Sequence, residues 1–452
     1  MKSAVKIAFL CSECGGDFPK WHGQCPACKE WGTLSEFKVT KKTNKFFDGE
    51  SRKPTSLNEI LYDRPEIRIP TKITEVDRVL GGGMLKGSVI LLGGSPGIGK
   101  STLALQIVSG CDITSLYVSA EESESQIGMR AKRLKVSSDK LQISAENQIE
   151  KIRDYVSLIK PELIIIDSIQ TMFDESVSSE PGSVAQIREC TRKLLEHAKS
   201  SNIPMILSGH VTKGGDIAGP RIMEHMVDVV LHMEGDPGSA WRLLRSVKNR
   251  FGSTNEVGVF EMTNSGLKEV EDPSAAFIAE RGTESIGSVV IATLEGTRPL
   301  WAEVQALTSA SMLPTPRRVS SGMDFNRMLL VCAVLGRRAG VNVGGQDIVV
   351  NVTGGLHVSE PASDLGVALT IASSARDVPL SPGLAAVGEV GLSGEVRSVP
   401  QLDRRIAEAD RLGLNRIIVP ARQWDKNAKS KSIEVVPAST IRQALQAALP
   451  RA

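Results

Sequence analysis

Gly94-Ser95-Pro96-Gly97-Ile98-Gly99-Lys100-Ser101 matches the G-x4-G-K-[S/T] phosphate-loop pattern at every fixed position. The apolar run Val89-Ile90-Leu91-Leu92 precedes it and a helix-forming stretch, Ser101 to Ser109, follows, so the loop sits between a buried strand and a helix start. In that setting the glycines let backbone N–H groups close around phosphate oxygens. Lys100 reaches the β- and γ-phosphates, and Ser101, followed by Thr102, offers its hydroxyl to Mg²⁺. The pattern predicts a site for ATP and Mg²⁺.

Strand and helix alternate outward from this loop. Leu116 to Val118, Leu163 to Ile166 and Met205 to Leu207 read as short buried strands. Ser123 to Leu134, Ile149 to Ile159 and Ser183 to Ser200 read as helices between them, which predicts an α/β fold with a parallel sheet. Val227 to Met233, Trp241 to Val247 and Val257 to Met262 are expected to extend the sheet as antiparallel neighbours. Asp167, ending one strand, is the expected carboxylate for the metal's water shell. Glu121-Glu122 follows another strand, so one of them can act as a general base; Glu121 is the candidate, and Glu122 reads equally as an acid at a helix N-terminus.

At the N-terminus, Cys11-x2-Cys14 and Cys25-x2-Cys28 supply four thiolates in two knuckles, with ten residues between the pairs. This spacing predicts a Zn²⁺ ribbon over residues 1–37. Trp21 and Trp31 are expected to cover the metal site. A lysine-bearing linker follows over 38–56. The nucleotide domain then spans 57–272, and a second α/β domain spans 273–452, with strands at Ile286 to Leu294, Trp301 to Leu307 and Ile348 to Val352 and helices at Asn326 to Arg338, Ala362 to Ala375 and Leu402 to Leu412.

Composition bounds the rest. At 452 residues the chain is long enough for several cores, and 41% apolar residues suit a globular protein. The formal charge of +2 means that an anionic partner must be met by local patches. Aromatics make up 4% of the chain, so no base-stacking surface is expected and binding to nucleic acid should be mostly electrostatic. No apolar run spans a bilayer and no secretory signal opens the chain, so a cytoplasmic protein without membrane contact is expected.

Thr74-x2-Asp77-Arg78-Val79-Leu80-Gly81-Gly82-Gly83, Tyr117-Val118-Ser119-Ala120-Glu121-Glu122-Ser123 and above all Lys248-Asn249-Arg250-Phe251-Gly252 make the chain resemble the bacterial RadA (Sms) family of DNA-repair proteins, over essentially its whole length. The resemblance implies a RecA-like ATPase between a zinc ribbon and a domain similar to the proteolytic domain of Lon. It makes Glu121 the counterpart of the strand-end glutamate of RecA. It also gives Lys248 and Arg250 a part in both nucleotide and DNA function; in a ring they would reach a neighbour's γ-phosphate as an arginine finger does.

The glycine-rich stretch His210 to Arg221 stands where RecA-like proteins carry a sensor and a DNA-contacting loop. It offers His210 to the γ-phosphate, or as a structural residue, and Lys213 and Arg221 to DNA phosphates. Arg317 and Arg318 are further candidate phosphate contacts; Arg337 and Arg338 read equally as solvated. In the Lon register, Asp364 takes the nucleophile's position and Asp403 the lysine's, so neither half of the Ser–Lys dyad is present and peptidase activity is not expected.

The implied function is a DNA-dependent, helicase-like ATPase of recombinational repair. It would form a homo-oligomeric, hexameric ring that binds single-stranded and branched DNA, promotes branch migration or unwinding, and meets the RecA recombinase through its ribbon. The alternative is a nucleotide-switched loader or scaffold that does not translocate.

Overall fold

The strand that feeds the phosphate loop lies at the centre of a nine-stranded sheet in the computed structural model, which describes residues 6–11, 17–27, 29–39, 67–210, 222–235, 240–278, 286–424 and 432–449. The chain divides into two units, Met1–Glu269 and Val270–Ala452. The sequence reading puts that division at 272–273.

The first unit opens with three antiparallel strands, β1 (Lys6–Cys11), β2 (Asp17–Phe18) and β3 (Leu34–Val39), in the order β2-β1-β3. Their core is small: Cys11, Cys25 and Leu34 pack together, with Phe9 and Phe18 against them.

The large sheet contains β4 (Val89–Gly94), β5 (Ser115–Ser119), β6 (Leu141–Ser144), β7 (Leu163–Asp167), β8 (Met205–His210), β9 (Val229–Glu234), β10 (Trp241–Asn249), β11 (Val257–Thr263) and β12 (Gly266–Glu269). Their order is β12-β11-β10-β9-β4-β8-β7-β5-β6. Among the described residues the α-helices of this unit are α1 (Thr74–Leu80), α2 (Lys100–Cys111), α3 (Glu124–Arg133), α4 (Ile149–Ile159), α5 (Val184–Ser201) and α6 (Ile222–Met226). Side chains of the central strands alternate between two cores. Val89, Leu91, Ile164 and Ile166 enter one, and Ile90, Leu92, Leu163 and Ile165 the other. Strands buried on both faces must be apolar throughout, which is why these runs show no polar alternation. Serines start two of the helices: Ser123 forms a capping box with Gln126, and the Ser183 side chain accepts the Gln186 N–H.

One expectation is corrected. The strand β9 runs parallel to β4, and the antiparallel extension begins only at β10. The connection from β8 to β9 is long enough for a crossover, which a parallel neighbour needs. The edge strands β6 and β12 escape the sequence reading, being short and half-buried or glycine-initiated.

The second unit contains α7 (Pro273–Ile278) and a seven-stranded sheet of β13 (Ser288–Glu295), β14 (Arg298–Ala310), β15 (Arg318–Ser321), β16 (Gln346–Val352), β17 (Leu384–Ala386), β18 (Arg416–Pro420) and β19 (Glu434–Ala438). The order is β15-β16-β14-β13-β17-β18-β19. Its other helices are α8 (Phe325–Val334), which continues into a π turn at Leu335–Ala339, α9 (Asp364–Arg376), α10 (Leu402–Arg411) and α11 (Ile441–Ala448). α9 packs across β13 and β14, and its first ten residues are all buried.

Candidate active site

The phosphate loop leaves β4 at Gly94. A Cβ at Gly94 would stand 2.7 Å from the Met233 carbonyl oxygen, and Gly99 has φ +121°, so both positions require glycine. Ser95, Pro96 and Gly97 crown the loop in solvent, while Ile98 is buried and anchors it. The nearly buried Arg242 donates from Nε to the Ile98 carbonyl at 3.1 Å. Lys100 opens α2 and is itself buried; its ammonium donates to the carbonyls of Gly94 (2.8 Å) and Ser95 (3.0 Å). Burial holds that ammonium below the ordinary lysine value, against the opposing pull of Asp167 and Glu121. Ser101 and the buried Thr102 follow in the first turn of α2.

Two carboxylates face this loop from neighbouring strand ends. β5 pairs with β7 so that Ser119 lies opposite Asp167. The Tyr117 hydroxyl, inside β5, donates to Asp167 Oδ2 at 2.6 Å, and burial followed by Asp167 pushes that phenol far above its ordinary value. Ser168, joined to Asp167 by a cis peptide and fully buried, donates from Oγ to Glu121 Oε1. Glu122 is committed elsewhere, paired with Arg130 of α3. The backbone of His210 pairs with Gly94 at the end of β8, which puts this residue at the same sheet edge.

Lys248 and Arg250 lie at the opposite edge. Asn249, ending β10, pairs with Val229 at the start of β9, and Val229 pairs with Ile90 at the start of β4. The strand Val89–Gly94 separates that edge from the phosphate loop, a run of about 17 Å at some 3.3 Å per residue. The Lys248 ammonium donates to the carbonyls of Glu224 (2.7 Å), His225 (3.1 Å) and Val227 (2.8 Å), closing the end of α6. Arg250 is half-exposed and pairs with the buried Asp228 at 3.2 Å. The glycine turn after α1 completes this edge. Arg68 donates to the Leu80 (3.1 Å) and Phe251 (2.8 Å) carbonyls, and a Cβ at Gly83, whose φ is +121°, would meet the Ile69 carbonyl at 2.6 Å.

In the second unit, Asp364 is buried at the start of α9 and forms a two-point ion pair with Arg327, with Nε to Oδ1 at 3.1 Å. Burial still holds its acid above the ordinary aspartate value. Ser363 donates its Oγ to the Glu360 carbonyl at 2.8 Å, and Asp403 is exposed on the first turn of α10. The neighbouring Arg405 is fully buried and paired with Glu360.

Of the candidate DNA contacts, Arg317 is exposed, whereas the Arg318 guanidinium is spent on the carbonyls of Arg317, Val343 and Gln346 and holds a turn. Lys213 and Arg221 lie outside the described residues, as do Cys14 and Cys28. Cys11 and Cys25 are buried in one cluster. The second knuckle is visible as a turn, with Lys29 N–H donating to the Cys25 carbonyl (2.9 Å) and Cys25 N–H to that of Glu30 (2.8 Å). Trp21 is 60% and Trp31 73% exposed, outside the small core that Cys11, Cys25, Leu34, Phe9 and Phe18 form.

Three family models match the chain: rubredoxin metal binding domain over 9–36, KaiC ATPase over 69–145, and subunit ChlI of Mg-chelatase over 331–423. "DNA repair protein RadA" of Bacillus subtilis is 45% identical over 98% of this chain and 99% of its own. The Pseudomonas aeruginosa protein of the same name is 47% identical over 98% and 99%, and that of Haemophilus influenzae 46% over 95% of each. The chain belongs to the RadA family of DNA-repair proteins.

As a RadA-family protein it carries an ATPase domain for ATP and a zinc-ribbon domain. The preformed glycine cradle, the inward Lys100 and the buried Asp167 fit ATP with Mg²⁺, which Ser101 and, through water, Asp167 would hold. Cys11 and Cys25 fit half of a Zn²⁺ set that Cys14 and Cys28 would complete. Among the described residues no helix is long and apolar enough to cross a membrane. Ser168, Tyr117, Arg242 and Asp228 escaped the sequence reading. Ser168 could have been flagged by its place directly after Asp167, whereas the others depend on contacts across the sheet.

Proposed function

We propose that this RadA-family ATPase is a DNA-dependent motor of recombinational repair that works as a homo-oligomeric, hexameric ring in the cytoplasm. The observation that carries the reading is the separation of the two motifs. A phosphate loop with both carboxylates stands at one edge of the sheet, and Lys248 and Arg250 stand at the other. Out of reach of its own loop, Arg250 is free to serve a neighbour's site, which supports this reading, and a ring supplies a neighbour for every subunit.

Within a site, Lys100 and the loop N–H groups bind the β- and γ-phosphates, and bound Mg²⁺ supplies charge neutralisation between them. Glu121, held by Ser168, orients the attacking water and takes its proton. Arg250 of the adjoining subunit stabilises the charge on the transferring phosphoryl group. Lys248 acts as a positioning residue through α6. Single-stranded and branched DNA would be held by Arg317 and by Lys213 and Arg221, and the ribbon would dock RecA. Asp364 and Asp403 leave the Lon-like domain without a nucleophile and its lysine, which supports a scaffold and not a peptidase.

The test is ATP turnover with and without single-stranded DNA, together with native mass and displacement of a paired strand. Stimulated turnover, a ring mass and displacement are expected. Stimulation without displacement would replace the motor by a loader, and a monomer with full turnover would remove the ring.

A further inference from the structure

Trp21 and Trp31 stand on hydrogen-bonded backbone and leave their rings in solvent. Their rings converge over Gly23: a Cβ there would lie 3.5 Å from Trp31 Cζ3 and 3.7 Å from Trp21 Cη2. The Trp21 indole donates to the Leu34 carbonyl at 3.2 Å, which fixes its ring against β3. Trp31 is bridged in antiparallel fashion to Gln24, and the Gly32 N–H closes the same turn onto the Gly23 carbonyl at 2.8 Å. Trp301 of the second unit, by contrast, is fully buried. Two large rings that converge in solvent over one glycine mark a binding surface.

We infer that Trp21 and Trp31 form a stacking platform for unpaired bases of single-stranded DNA. At the two rings the neighbourhood favours bases, which leaves the proposed docking of RecA to the rest of the ribbon. Protein hot spots seat their aromatics in packed, desolvated pockets; among the described ribbon residues no other large apolar side chain is exposed. The exposed residues beside the rings are Lys20, Lys29 and Glu30 with small or polar ones, so the flat faces are open while the local charges nearly balance. Such a surface binds through the π-faces that every base offers, and it adds base stacking to the electrostatic binding proposed for Arg317, Lys213 and Arg221. The inference rests on the proposed binding of single strands and says which part of the strand the ribbon reads.

The experiment uses the full-length, zinc-loaded protein with an oligo-dT strand and an abasic strand of equal length and phosphate count. The wild type should bind dT more tightly than the abasic strand, with tryptophan fluorescence quenched by dT alone. Trp21→Ala with Trp31→Ala should lower affinity for dT on the order of 10-fold, abolish the quenching and leave abasic binding and basal ATP turnover unchanged. The Trp21→Phe, Trp31→Phe variant should recover most of the affinity, and unchanged zinc content shows the ribbon intact. Equal binding of both strands by the wild type overturns the platform whether or not the alanine variant folds. Quenching on addition of a partner protein but not of dT overturns it in favour of a protein surface. Either result leaves single-strand binding standing; only failure of the wild type to bind any single strand removes both.

Discussion

Arg250→Ala removes a guanidinium about 17 Å from its own chain's phosphate loop, counted along β4. Across that gap in water one unit charge acts on another by about 0.2 kcal/mol, and a Debye length of about 8 Å screens most of that. Acting only within its own chain, the substitution should change turnover by less than about 2-fold. Acting on a neighbour's phosphate, it should cost about 10³-fold or more, as loss of an arginine finger does. Stability offers no alternative explanation. The Arg250 side chain is 49% exposed, so its pair with Asp228 is solvent-screened and contributes at most about 1 kcal/mol.

Turnover and native mass of the variant are read first, and then turnover after mixing with Lys100→Ala subunits. Neither parent should hydrolyse ATP. In randomly mixed rings about one interface in four pairs an intact loop with an intact finger, so about a quarter of wild-type turnover should return. A loss below 2-fold in the single variant, or no recovery in rings shown to be mixed, would refute the placement of Arg250 across a subunit boundary.

Two further outcomes follow from the geometry. Tyr117→Phe deletes the hydrogen bond to Asp167 and should weaken the Mg²⁺ dependence of nucleotide binding by about 10-fold, as loss of an outer-shell partner does; an unchanged Mg²⁺ titration would show that the phenol only fills space. Arg327→Ala leaves the buried Asp364 without its cation and should destabilise the second unit by about 3–5 kcal/mol in thermal or denaturant unfolding. Because the Asp364 acid is already held above its unfolded value, its protonated form favours folding, so the deficit should shrink as pH falls towards that value; a deficit independent of pH would count against this account.

The legible part of the fold is the part that is buried on both sides. The runs Val89 to Leu92 and Leu163 to Ile166 are apolar without alternation, and α4 begins and ends at the expected Ile149 and Ile159. The edge strand β6, Leu-Gln-Ile-Ser, is half-buried and gives too short an alternation to separate it from a loop. At the candidate site, the phosphate loop and Asp167 are local patterns and could be read directly. What Lys248 does could not, since its ammonium is spent on three carbonyls more than twenty residues away in sequence. The solvent exposure of Trp21 and Trp31 is equally hard to read from sequence, since the cysteine cluster with Leu34 forms the ribbon core without them.

The tether on Arg250 bears on how a lone chain differs from an assembled one. Asp228 accepts the Val89 N–H with Oδ2 at 3.1 Å and Arg250 with Oδ1 at 3.2 Å, and its own N–H donates to the Val89 carbonyl at 3.0 Å. The first residue of β4 is thus clamped to the carboxylate that holds Arg250, and the last residue, Gly94, opens the phosphate loop. β4 is buried throughout and hydrogen-bonded to β8 and β9 along both sides, so it moves only together with its neighbours. Under the proposed role, Arg250 leaves Asp228 when a neighbour's phosphate comes within reach. The carboxylate then keeps the Val89 N–H, and Lys199, half-exposed and already 3.7 Å away, can draw in to replace the lost cation. Release therefore costs no more than a solvent-screened ion pair, about 1 kcal/mol, while phosphoryl stabilisation by an arginine finger supplies several times that. Under that role, a contact of this strength would hold Arg250 in a single chain and yield in a ring.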